Sequence, residues 1–176
     1  MPLSPTRFFI TFRGICCSLA LALYLFGCDS GNRQDIDLSD SVVEQPVDGV
    51  GHYVYAINLP HTVSAGESFE AQMEWRTVGS VDPNARYTMD VVLEGPERKV
   101  WSIPSGANTV GELHLANWLS YNFDVPSEFP AGNYVFGVRL RNANRDFEEV
   151  PLGYQSQLEM GDGFYRLAQI EVQQQN

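Results

Sequence analysis

The feature that most restricts this chain is a two-residue alternation of apolar and polar side chains. Phe69, Ala71, Met73 and Trp75 alternate with Glu70, Gln72, Glu74 and Arg76. An extended strand points successive side chains to opposite sides, so this run has one apolar and one charged face; wound into a helix, the same residues would scatter around the axis. Tyr87, Met89, Val91 and Leu93 repeat the pattern, interrupted by Val92. Leu119, Tyr121, Phe123 and Val125 follow it, as do Tyr134, Phe136, Val138 and Leu140. In the last run, Phe164 to Val172, the residues expected inward are Ala168, Ile170 and Val172. Shorter strands at Tyr53–Asn58 and Lys99–Ile103 bring the expected total to about seven.

Between the runs lie turn-forming clusters: Ala65-Gly66-Glu67, Asp82-Pro83-Asn84, Glu94-Gly95-Pro96-Glu97, Pro130-Ala131-Gly132-Asn133 and Gly161-Asp162-Gly163. Seven half-buried strands within about 120 residues predict two antiparallel sheets packed face to face. The expected fold is therefore all-β, an immunoglobulin-like antiparallel β-sandwich over residues 51–176. All three cysteines lie at or before position 28, which excludes a disulfide between the sheets and any cysteine-ligated metal site. Stability must then rest on an aromatic core, with Trp75 and Phe136 expected at its centre.

Residues 1–27 have the grammar of a secretory signal peptide. Arg7 and Arg13 supply a positive flank, and Ile15 to Phe26 form an apolar run too short to span a bilayer. The run ends in Leu25-Phe26-Gly27-Cys28, which resembles the lipobox of bacterial lipoproteins. That resemblance implies cleavage before Cys28, diacylation of its thiol and acylation of the new amino terminus. Acyl chains contribute about 0.8 kcal/mol per buried methylene, so two or three of them hold a protein firmly on a membrane. The resemblance also assigns a meaning to Asp29: in enteric-type lipoproteins an aspartate after the anchor favours the periplasmic face of the inner membrane, the outer membrane being the other location.

From Asp29 to Val50 the sequence holds six acids, one base and no aromatic residue. Low hydrophobicity combined with net negative charge predicts a lipidated cysteine followed by a disordered acidic linker over 28–50. The segment lacks the glycine and terminal glutamate of a helix-flanked calcium loop. The whole chain carries 22 acidic against 11 basic residues, a formal charge of −11. Removing the leader, with two arginines and no acids, leaves nine bases against 22 acids, or −13. Such a surface repels phosphate backbones and argues against nucleic-acid binding.

The order of motifs in the folded part is similar to that of the β-sandwich modules at the C-terminal end of glycoside-hydrolase-like barrels, a family classed as a domain of unknown function. The residues that carry the resemblance are Val63-Ser64-Ala65-Gly66-Glu67-Ser68, Trp75, Gly79, Leu115-Ala116-Asn117-Trp118, Val125-Pro126, Pro130-Ala131-Gly132-Asn133-Tyr134 and Gly163-Phe164-Tyr165-Arg166-Leu167. It spans roughly Asn58 to Val172. A lipid anchor stands here where that family has a barrel, so no barrel activity carries over.

The sequence contains no nucleophile elbow, phosphate-binding loop or paired-histidine motif, and His52, His61 and His114 share no ligand spacing. Glu148, Glu149 and Asp162, in the long loop Asn142–Gly163, are the candidate carboxylates for a hydrolase; adjacent acids on an extended chain diverge, and glycosidic chemistry needs two carboxyls facing across a cleft. The chain therefore reads as a non-enzyme without cofactor or metal. Binding is the better expectation. Sugar-binding sandwiches present flat aromatic rings flanked by amides and carboxylates. Trp101, Trp118, Tyr121 and Tyr154, with Asn117, Asn122 and Gln155 beside them, are the available groups, although Trp101 and Tyr121 also suit packing. The expected ligand set is Trp118, Tyr154, Trp101 and Asn117, centred on Trp118 and the 142–163 loop, since long loops on rigid sandwiches commonly carry function. The implied partners are the membrane, through the anchor at Cys28, and either an envelope polysaccharide or an envelope protein paired along a strand edge.

Overall fold

A computed structural model describes residues 31–43, 50–80, 82, 84–104 and 117–174. The leader, Cys28, Asp29 and His114 lie outside the described residues. Sheet one runs β1 (Arg33–Asp37), β2 (Val50–Pro60), β4 (Ser68–Gly79), β7 (Asn117–Asp124), all antiparallel. Sheet two runs β10 (Glu159–Gly161), β11 (Phe164–Gln173), β8 (Gly132–Asn142), β5 (Tyr87–Glu94), β6 (Arg98–Ile103). Two short strands join sheet two: β3 (Thr62–Ser64), parallel to the end of β11, and β9 (Glu148–Val150), on β8. The seven strands expected from the alternation are the long ones, β2, β4 and β7 in one sheet and β11, β8, β5 and β6 in the other. The chain is an immunoglobulin-like antiparallel sandwich.

The core lies between the sheets and is aromatic, as the lack of an inter-sheet disulfide requires. Trp75 and Phe136 are fully buried, and Phe69, Phe123 and Phe136 pack with ring centroids 5.4 to 6.2 Å apart. Pro130 to Tyr134 forms a tyrosine corner: the Tyr134 hydroxyl donates to the Pro130 carbonyl at 2.8 Å and its ring stacks on Phe129. The interruption at Val92 also has a cause. Val92 faces outward but is buried, because Gly137 beside it has no side chain and the Met160 thioether lies over that gap; a Cβ at Gly137 would sit 2.8 Å from the Met160 sulfur. The β10–β11 hairpin closes through Asp162 and Gly163, with φ of 48° and 70°. Two positive φ angles in a two-residue loop suit the Asp-Gly pair found there.

The expected linker is corrected by this fold. Arg33–Asp37 is a strand on β2, in register from Arg33 opposite Pro60 to Asp37 opposite Ala56. Averaged over its length the segment looks too polar to fold, yet Ile36 and Leu38 alternate with charges and pack on the core. The side chain of Arg33 bonds Asn58, which in turn bonds Asp35. Beyond it, Leu38 N donates to Tyr55 O at 2.9 Å, Val42 bridges to Tyr154, and Val43 N donates to Gly153 O at 2.9 Å. The sandwich thus begins near Asn32, not at Gly51.

The 142–163 segment is likewise more ordered than a surface loop. It carries β9, bridges His52 through Leu152 and Val42 through Tyr154, and buries Leu152, Tyr154 and Leu158. It works as a strap between the edges of the two sheets.

Candidate functional site

The outer face of sheet one gathers side chains that the sequence shows only as polar halves of alternating runs. Register puts Glu74 of β4 opposite Trp118 of β7, Gln72 opposite Ser120, and Glu70 opposite Asn122. On the other side of β4, Arg76 faces Tyr53 and Glu74 faces Ala56. A β-bulge between Val54 and Ala56 adds Tyr55 to this face. The Arg76 guanidinium lies 3.3 Å over the Tyr55 ring and donates to Glu74 Oε1 from Nε at 2.9 Å and Nη2 at 2.7 Å. Trp118 is 53% exposed, high for so large an apolar ring. The row across β2, β4 and β7 therefore reads Tyr55, Arg76, Glu74, Trp118: two aromatic rings with a fixed ion pair between them. Gln72, bonded to Glu70 at 3.2 Å, extends the polar surface toward Asn122.

This arrangement offers the exposed Trp118 ring, and a Tyr55 ring with one face taken by Arg76, beside oriented N–H donors and carboxylate acceptors, all carried on paired strands rather than on loops. The ion pair pre-orients Arg76, so a ligand would not have to order it.

Of the four expected ligand residues, the structure places Trp118 on this face. The backbone of Asn117 precedes it in β7, and its side chain lies outside the described residues. Trp101 points inward: it packs on the core with its ring 5.3 Å from Phe123. Tyr154 is a correction, for it is only 6% exposed and its hydroxyl is committed to the backbone, donating to Val54 O at 2.6 Å and accepting from Val54 N at 2.7 Å. Burial raises its pKa well above the ordinary phenol value. A ring so enclosed offers no platform to a sugar. Tyr121 is a core residue, and Gln155 bonds the Asp40 carbonyl. Tyr55, Glu74 and Arg76 are the residues that sequence reasoning did not gather. Their signal is the phase of alternation, read together with the pairing of β2, β4 and β7.

The candidate carboxylates lie elsewhere. Glu148 and Glu149 are exposed in β9, with Glu149 against Gly163, and Asp162 pairs with Arg98 at 3.1 Å. A second polar cluster occupies the outer face of sheet two. Asp90, 1% exposed, accepts from Ser102 Oγ at 2.6 Å, Arg139 Nη2 at 2.7 Å and Arg141 Nη2 at 2.9 Å. Burial opposes its charge, but these hydrogen bonds outweigh burial and hold the carboxyl below its usual range. Arg139 also lies 4.5 Å over the Phe164 ring and donates to the Asp162 carbonyl. With one carboxylate shared by two guanidinium groups, this cluster braces strands β5, β6, β8 and β11.

His52, also 1% exposed, has Nδ1 2.8 Å from Thr77 Oγ1 and its ring against the Tyr87 ring at 4.8 Å. Burial lowers its pKa to about 4. His61 is exposed at the opposite end of β2.

No protein-family model matches the chain. No curated protein is significantly similar to it. Among solved structures, it is similar to the CARDB domain of the PF1109 protein from Pyrococcus furiosus, which was crystallised in complex with di-metal ions. The TM-score is 0.39 and the identity 13%, over 74% of this chain and 99% of that domain.

Proposed function

We propose that this protein is a lipid-anchored lipoprotein of the bacterial cell envelope, whose non-catalytic sandwich binds saccharide on the outer face of sheet one. Cys28 carries the anchor, and Asp29 after it favours the periplasmic face of the inner membrane. Trp118 is the primary platform, Tyr55 the second, and Glu74 and Arg76 hydrogen-bond ring hydroxyls. The observation that carries this reading is the exposed Trp118 ring directly opposite Glu74, in line with the Arg76–Tyr55 stack. An exposed tryptophan contributes little to a fold and much to stacking on the apolar face of a sugar. Its test is retention of the protein on immobilised envelope polysaccharides. Trp118→Ala should abolish retention while leaving the urea midpoint unchanged; equal retention by the variant would refute the assignment.

A protein partner is the second reading, favoured by one observation: among the described residues, β7 pairs with β4 alone and so ends sheet one. Crosslinks from β7 to one envelope protein, with no retention on any glycan, would establish it over the first.

A further inference from the structure

The start of the fold at Asn32 limits how far the domain can stand from its anchor. The Asn32 carbonyl accepts from His61 N at 2.7 Å, its side-chain Oδ1 accepts from Thr62 N at 2.9 Å, and its Nδ2 donates to Thr62 O at 2.8 Å. Asn32 is therefore fixed to the β2–β3 corner. Three residues lie between it and Cys28, which makes four Cα–Cα steps, and a fully extended chain covers at most about 3.5 Å per step, so an anchor on Cys28 could lie no more than about 14 Å along the chain from the corner. A linker running from Cys28 to Val50 would have raised that bound to about 77 Å.

Beside that corner, β1, β8 and β11 frame a groove of about 290 Å³ lined chiefly by Gln34, His61, Thr62, Asn133, Gln169 and Glu171. Gln34 holds the two sheets together there, donating to Pro60 O at 3.2 Å and Gln169 O at 2.8 Å. In a chain with twice as many acids as bases, a groove with one carboxylate and several side-chain N–H groups suits a phospholipid surface. Asn133, Gln169 and His61 supply donors for phosphate oxygens, and Glu171 an acceptor for an ammonium group.

We infer that the β2–β3 corner and this groove face the membrane and contact zwitterionic phospholipid headgroups. This rests on Cys28 being the anchor. The opposite end, with exposed Phe147 after β8, then points away from the membrane, because β8 from Asn133 to Asn142 is about 30 Å long. Trp118, at the start of β7, sits toward that distal end and clear of the lipid.

The test places a photocrosslinking amino acid at His61, Gln169 or Phe147 of the full chain, expressed in bacteria fed alkyne-tagged palmitate. Tag on the protein reports acylation; phospholipid adducts report orientation. The expected result is tagged protein in all three cases, with adducts several-fold more abundant from positions 61 and 169 than from 147. Tagged protein with equal adducts, or more from 147, overturns the orientation and leaves the anchor standing. Untagged protein removes the anchor, and the orientation with it.

Discussion

Asp90 shows how a charge is kept inside this sandwich. Two arginines and a serine satisfy it, so replacing it strands two guanidinium groups that each keep about a quarter of their exposure. Removing one partner of a buried ion pair costs about 3–5 kcal/mol, and the residual solvation of the arginines places Asp90→Ala at the low end, about 3 kcal/mol. Urea unfolding at neutral pH measures it. His52 sets an acid limit. The unfolded histidine titrates near the ordinary imidazole value of 6.5, whereas the buried one holds neutral until about pH 4. Between those values the unfolded chain binds a proton that the fold refuses, so stability falls as pH drops from 6.5 to 4 and this contribution levels off below. The loss is about 3 kcal/mol. Asp90, with its lowered pKa, adds a loss of the same sign at lower pH. His52→Gln should flatten the slope between pH 6.5 and 4 in urea titrations. Tyr154→Phe keeps the ring but leaves Val54 N–H and C=O unpaired in the interior, at about 2 kcal/mol.

At the scale of elements, the long strands were legible because their apolar phase is unbroken and their turns carry Gly, Pro and Asp. The short ones were not. Arg33–Asp37 has a single apolar residue, Ile36, and becomes a strand only because β2 offers a free edge and Asn58 ties down Arg33 and Asp35. Composition averaged over a segment cannot register a partner strand 19 to 27 positions away. The 142–163 segment hides for a related reason: Leu152 and Tyr154 look like loop residues until the edges they cover are known. Trp118 was legible as a candidate from its position near a strand end, while Tyr55 and Arg76 needed a bulge and a register that only the fold supplies. Native-state hydrogen exchange checks the corrected boundary. Amides of Arg33–Asp37 that bond β2 should be protected; exchange at coil rates throughout would return the segment to a tether.

For the whole molecule, the proposed function joins an anchor at Cys28 to a binding face on sheet one: on that reading the sandwich would stay close to the membrane and present its aromatic row to the envelope. A long stalk would give reach; with the fold starting near Asn32, the same anchor would limit the height of the domain above the membrane. The saccharide face is the claim on which the functional account turns. Electrophoresis of the protein through gels containing envelope polysaccharides tests it most directly. The account predicts that the unmodified chain is retarded in at least one gel, that Tyr55→Ala weakens the retardation, and that Trp118→Ala removes it without lowering the urea midpoint. Unretarded migration in every gel, or a Trp118→Ala variant retarded like its parent, would contradict it.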